Sequence, residues 1–392
     1  MNKAFALIGA FMFTTVTSLG QAVKSNADNG AKPLKFLKKQ IAAESFESVG
    51  VFDVNNDKIP DIVSGAYWYV GPEYINRHTI GAAKRVGEYW DDFSTIPLDV
   101  NGDGYLDFIT GGWFGKSLLW WENPGNNNEW KQHLIAETGN IETTRGWNID
   151  RDGALEIVPN TPNDPLTIYR LSRDPQGKGI GSFERHQIIN NKNDHGLGIG
   201  DINGDGRSDI IVSKGWAEAP KNLYKDTWTF HPDFDLGTAS VPIVVADVNK
   251  DGFNDIIVGQ AHSYGLDWYE QKNEKKAKTS VWVKHPIDPF NSQFHTMQWV
   301  DLDGDGHEEL ITGKRYRAHN GNDPGENDPV GIYYYKWNGE GFTKQIISYG
   351  SFGDGKGLGI YFSVMDLTGS GRKDIIVAGK DGLYIFYNQG YE

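Results

Sequence analysis

Ten histidines in 392 residues fall into two groups by position. His78, His133, His186 and His285 recur at one place in a repeated pattern, basic–x–His/Gln–x–Ile, and a residue that travels with a repeat serves the repeat. His195, His262, His295 and His319 break that rule. His195 lies six residues before an acidic turn that begins at Asp201, and His295 six before one that begins at Asp301. His262 follows an apolar run that starts at Asp255. Imidazole titrates near neutrality, so histidines that converge in space suit proton transfer. His307 sits inside an acidic turn, where its carbonyl is the useful group. His231 lies in a variable insertion and has no assignment.

The acidic turns are a second chemical signal. The motif Asp-x-Asn/Asp-x-Asp-Gly-x-x-Asp, followed by a short β-branched run, begins at Asp53, Asp99, Asn148, Asp201, Asp247, Asp301 and Asp366. Hard oxygens at positions 1, 3, 5 and 9, with a glycine for the sharp turn, suit calcium. Four copies carry a full set: Asp99, Asn101, Asp103 and Asp107; Asp201, Asn203, Asp205 and Asp209; Asp247, Asn249, Asp251 and Asp255; and Asp301, Asp303, Asp305 and Glu309. These are expected to hold structural calcium. The other three lack the glycine, the first carboxylate or the middle ligands. They read as turns whose side chains bond backbone amides.

The spacing of the motif identifies the elements that carry these groups. Intervals of 46 to 65 residues suit a four-stranded blade, and seven copies imply an all-β, seven-bladed β-propeller. Each copy reads as a small-residue inner strand, the acidic turn, a β-branched second strand, an aromatic third strand and an outer strand. The aromatic third strands read as packing between blades. The last copy lacks an outer strand, and residues 34–42 match the outer-strand pattern, so this segment is expected to complete blade seven and close the ring. Zero cysteines exclude disulfides, thiolate metal sites and a cysteine nucleophile. A net charge of −14 argues against a general nucleic-acid binder. Residues 1–22 read as a cleaved export signal and 23–33 as a linker, with the propeller over 34–392. A secreted or periplasmic monomer with no membrane insertion is expected.

The motif resembles the FG-GAP/VCBS repeat of seven-bladed propellers, a resemblance specific for fold and nearly silent on function. In a blade the first strand starts where the second ends, opposite the acidic turn. His195, His262 and His295 should therefore meet at one mouth of the channel. Glu142, Arg145, Trp90, Asp91, Asp92 and Tyr361 reach it ahead of inner strands; Lys214, Lys314, Arg315 and Lys380 follow second strands. The segment 315–329, with Arg317 and His319, is placed to fold over it as a lid.

A locally cationic, histidine-lined mouth suits an anionic sugar. In β-elimination from a uronate, a cation neutralises the carboxylate, a base removes the C5 proton and an acid assists the oxygen leaving C4. Arg145 or Arg315 is the expected neutraliser and His195 with His295 the base and acid. His262, Tyr264 and Tyr361 stand in reserve. Lys214, Lys314, Arg317, His319, Trp90 and Asp92 are expected to bind substrate. The chain also resembles, in architecture and residue inventory, the propeller lyases that act on ulvan and rhamnosyl-glucuronate glycans, which implies cleavage of such a chain or loss of water from its terminal uronate. The alternatives are a non-catalytic carbohydrate-binding propeller and a glycoside hydrolase using Asp91 or Asp92 with Glu142. A three-histidine zinc site finds no compact spacing in the sequence.

Overall fold

Seven antiparallel sheets of four strands each are present among the described residues, the arrangement expected for seven blades. The computed structural model describes residues 32–192, 194–272 and 281–391. The expected export signal and nearly all of the linker lie outside them. Blade three, for example, runs Thr143–Trp147, Glu156–Asn160, Pro165–Arg173 and Gly179–Lys192. Blade four runs Leu197–Gly200, Asp209–Val212, Gly215–Glu218 and Thr229–His231.

Packing explains the strand composition. Second strands such as Asp107–Gly111, Asp255–Gly259 and Glu309–Gly313 are buried on both faces, which is why they are unbroken β-branched runs rather than alternating ones. Outer strands such as Lys131–Glu137 alternate and face water. Inner strands crowd their neighbours: a Cβ on Gly198 would meet the Ile243 carbonyl oxygen at 2.4 Å, so glycine there lets two blades touch.

Three of the repeated histidines stand directly across from the tryptophan of the third strand and stack on it. Ring centroids are 4.7 Å apart for His78 and Trp68, 4.3 Å for His133 and Trp120, and 4.6 Å for His285 and Trp268. His186 stands across from Ile168 and packs on Tyr224, with centroids 4.6 Å apart. His231, unassigned from sequence, stacks on Trp216 at 4.3 Å. It is the outer-strand histidine of blade four.

Each acidic turn is stapled by its closing carboxylate. Asp107 accepts the amides of Val100 and Asn123, both at 2.8 Å; Asp209 accepts those of Ile202 at 3.0 Å and Ala219 at 2.8 Å. One oxygen thus holds the turn while the other holds the end of the third strand. Asp61 in blade one and Asp374 in blade seven make the same pair of bonds.

Ring closure follows the expectation. Leu34–Ala42 pairs antiparallel with Leu383–Tyr391, with Phe36 opposite Asn388 and Lys39 opposite Ile385. A second seam lies at the inner edge, where Val49 donates its amide to the Tyr361 carbonyl and Ile360 donates to that of Glu47. No helix among the described residues is long and apolar enough to cross a membrane.

Candidate functional site

The inner strands bring His195 and His295 together, and the segment after the second strand of blade five adds His262. His195 Nε2 lies 3.2 Å from His295 Nε2 and 3.4 Å from Glu142 Oε2; His295 Nε2 is 4.0 Å from the same oxygen. The three imidazoles stand nearly perpendicular to one another, with centroids 4.8 to 5.5 Å apart. One ligand atom from each of the three histidines and Glu142 lies within 4.8 Å of all the others. The compactness that spacing did not reveal comes from residues on four different blades.

Second contacts orient these rings. His195 Nδ1 is 2.6 Å from the Ala239 carbonyl oxygen, and His262 Nδ1 is 2.9 Å from Asp323 Oδ2. Burial pushes His262 down to about 4 and, helped by the charge of Arg315, drives His295 well below its usual range. Both are therefore neutral ligands or bases. Burial alone would raise the Glu142 carboxyl, but His195, His262 and Arg315 outweigh it and hold it at about 2.

Above the cluster lies a cavity of about 410 Å³, lined by Tyr89, Phe93, Trp113 and Phe114 on one side and by Glu142, Arg315 and His319 on the other. His195, His262 and His295 lie behind Glu142 and are not among its lining residues. His319 is on the wall, its side chain 55 % exposed, and its Nδ1 meets Asp323 Oδ1 at 2.9 Å. Asp323 therefore spans two stacked histidines, His262 and His319, whose rings are 4.1 Å apart. Asp323 escaped sequence reasoning because a single aspartate in a polar, glycine-rich loop carries no signal of its own.

The segment 315–329 does cover the mouth, and it is tied down from every side. Lys314 Nζ donates to the carbonyls of Gly325, Glu326 and Asp328. Arg317 forks onto Glu88, Lys380 donates to the Arg317 carbonyl, and Tyr264 donates to Asp328. Asn320 donates its amide to the Tyr89 hydroxyl.

The expected excess of free cations at the mouth is not found. Arg315 is buried and bidentate on Glu47, at 2.9 and 3.3 Å. Lys214 pairs with Asp235 at 2.7 Å on the surface. Arg145 is buried beneath the cluster, bonded to Thr296 and the Val241 carbonyl, with its guanidinium 4.5 Å above the Tyr361 ring. Tyr361 is thus a prop for Arg145, and Tyr264 a latch for the lid. Trp90 donates to Ser45, and its ring packs on Phe46, 4.8 Å away. Asp92 accepts from Thr110 at 2.6 Å, and burial pushes its carboxyl up to about 7.

In the acidic turns of blades two, four and five the first aspartate accepts backbone amides, as Asp201 does from Asp205 and Gly206 and Asp247 from Asp251 and Gly252. Asp99 accepts from Gly102 and Gly104. In blade six Asp301 likewise accepts the amides of Gly304, Asp305 and Gly306. There Lys336 Nζ also lies 2.6 Å from Asp303, 3.2 Å from Asp305 and 3.1 Å from Glu309. Asp301, Asp303 and Glu309 still come close enough together to hold one ion, and the sequence hid the neighbouring ammonium because Lys336 lies on the third strand, beyond the motif.

Residues 247–312, the turn of blade five through the second strand of blade six, match the FG-GAP-like repeat family. Curated proteins give no match. Among solved structures, the chain is similar to BBS1N in its complexes with ARL6DN soaked with lead and with mercury. The first has 11 % identity, a TM-score of 0.53, and coverage of 91 % of this chain and 97 % of that one. The second has 11 % identity, a TM-score of 0.51, and coverage of 91 % and 96 %. An Agrocybe aegerita lectin described as recognising non-reducing terminal N-acetylglucosamine has 18 % identity, a TM-score of 0.45, and coverage of 81 % and 80 %. At such identities the likeness is one of fold.

Proposed function

We propose that the protein is a carbohydrate-active lyase that performs β-elimination on a uronate-bearing poly- or oligosaccharide in the mouth cavity. The observation that supports this reading best is the His319–Asp323 pair on the wall of an aromatic-sided cavity that also presents Arg315. With Nδ1 held by Asp323, His319 keeps Nε2 for the substrate, and Asp323 stabilises the imidazolium once a proton arrives. The base is accordingly His319 rather than His195 or His295, which lie one residue deeper. Tyr89, Trp113 and Phe114 offer faces to sugar rings.

The step balances within the sugar. His319 takes the C5 proton, the C5–H electron pair becomes the C4–C5 double bond, and the C4–O bond breaks. The departing oxygen takes that proton back from the His319 imidazolium, giving a 4,5-unsaturated uronate and either a new chain end or water. Structural calcium belongs to this reading in the turns of blades two, four and five, whose oxygen donors fit a hard cation. In the turn of blade six, Asp301, Asp303 and Glu309 lie close enough together to share such a cation, with Lys336 beside them.

Incubation with ulvan and other uronate glycans or their oligomers tests the proposal. A rise in ultraviolet absorbance from the conjugated product is expected, and mass spectrometry separates loss of water from chain cleavage. His319→Gln should lower turnover by about 10²–10⁴-fold while the protein still binds the glycan. Binding by the wild type without any new product would overturn the enzyme reading.

A further inference from the structure

The trihistidine cluster does more than line a channel. We propose that His195, His262, His295 and Glu142 bind one divalent transition-metal ion, of the zinc, manganese, cobalt or nickel kind, at the floor of the mouth cavity.

Four observations carry this. The first is distance. Ligand atoms at 2.0–2.1 Å from a tetrahedral metal stand about 3.3 Å from one another. His195 Nε2, His295 Nε2 and Glu142 Oε2 already stand 3.2, 3.4 and 4.0 Å apart. The second is orientation. Ligating histidines characteristically give their other nitrogen to a carbonyl or carboxylate. His195 gives Nδ1 to the Ala239 carbonyl, and His262 gives Nδ1 to Asp323. The third is an unanswered donor set. With Nδ1 spent on Asp323, the nitrogen left to His262 is Nε2, which is buried and has no hydrogen-bond partner among the described residues. The fourth is charge. Arg315, the nearest guanidinium, is held in two bonds by Glu47, so it offers Glu142 no direct pairing within 4.0 Å. The cluster has one carboxylate and three imidazoles, and imidazole selects transition metals over calcium or magnesium.

The site stands whether or not the protein is a lyase. On that reading, which it deepens, the ion supplies what the mouth lacks. Arg315 is already held in two bonds by Glu47, while Arg145 and Lys380 donate to the carbonyls of Val241 and Arg317. A divalent cation held by Glu142, itself on the cavity wall, adds positive charge facing a uronate.

The test uses the full chain, stripped with a chelator and reloaded with Zn²⁺, Mn²⁺, Co²⁺ or Ni²⁺ in calcium-containing buffer. After dialysis, elemental analysis should find about one transition-metal equivalent per chain. The cobalt form should show the visible absorption of a low-coordinate nitrogen-rich site. Glu142→Gln and His262→Gln should lose the metal while keeping the fold by circular dichroism. His133→Ala, on an outer strand, should keep it. Asp323→Asn, which reaches the metal only through His262, should weaken affinity by about 10–100-fold. A folded wild type that retains none of the four metals and leaves cobalt with its aqueous spectrum overturns the site. So does full retention by both Glu142→Gln and His262→Gln. The two proposals fail separately: retained metal without product on any uronate glycan sinks the lyase alone, and a chain that forms product yet retains none of the four metals sinks the site alone.

Discussion

The two ends of the propeller strands solve opposite problems. At the acidic-turn end every blade does the same thing: a carboxylate at the close of the turn accepts an amide of the turn, and in blades one, two, four, five and seven it accepts a second at the end of the third strand. At the other end the blades differ. Blade four contributes His195, blade six His295, blade five His262, blade three Glu142 and the lid His319. Repetition builds strength by making one local contact many times; a chemical site needs different groups at one point, and so must break the repeat. The difference also sorts residue types. The repeated histidines pack on aromatic rings, three of them on tryptophans and His186 on Tyr224, while the irregular ones face each other.

This contrast is open to direct attack. The largest effect is expected from Arg315→Met, which strands the buried Glu47 carboxylate. Denaturant unfolding should show a loss of about 3–5 kcal/mol. A loss well under that would mean that the mouth is decorated rather than held by its ion pair. Next comes Asp209→Ala in the opposite end, which leaves the Ile202 and Ala219 amides without acceptors. The same measurement should give about 2–4 kcal/mol, with transition-metal content and product formation unchanged. An altered transition-metal content would break the claim that the two ends are independent.

The third effect depends on pH. Burial pushes Asp61, Asp209 and Asp255 up to about 6 and Asp107 up to about 7. A carboxyl whose folded value exceeds its unfolded one favours folding while protonated. That contribution is full below pH ~4 and is lost as pH climbs through 6 to 7. In chelator, Tm should therefore fall between pH 5 and pH 8, and added calcium should oppose the fall. A Tm that rises over that range would contradict the burial of these groups. The smallest effect belongs to His133→Ala. Loss of its stack on Trp120 should lower stability by about 0.5–1.5 kcal/mol and leave turnover where it was.

The fold was legible because its signal is local and recurs: one motif read seven times yields seven blades, and one outer-strand pattern found at residues 34–42 yields the closure. His231 was obscured because its strand, Thr-Phe-His, lacks the basic residue and the isoleucine of the outer-strand pattern. The site was half legible. Topology placed His195, His262 and His295 at one mouth, since strand direction alone decides which ends meet. It did not foresee which side chain reaches solvent, because that depends on depth: Glu142 stands in front of the histidines it touches. Nor did it foresee that the cations are answered. Arg315 finds Glu47 from before the first blade, 268 residues away, and Arg317 finds Glu88, 229 away. Pairings across such separations leave no trace in a local pattern.

The seam between Leu34–Ala42 and Leu383–Tyr391 has a consequence for the order in which the chain is written. The first strand made has as its partner the last, and Leu34 sits opposite Tyr391, so the ends of the propeller are neighbours. Blade seven cannot form until the chain has been made as far as residue 391, whereas blades one to six draw only on their own stretch of chain. A short linker across the ends, with a new start cut into an exposed turn such as that at Gly339, would move the beginning of the protein without moving any contact. The propeller has a sequence order but no structural first blade; only the mouth, through its irregular residues, says where in the circle one is.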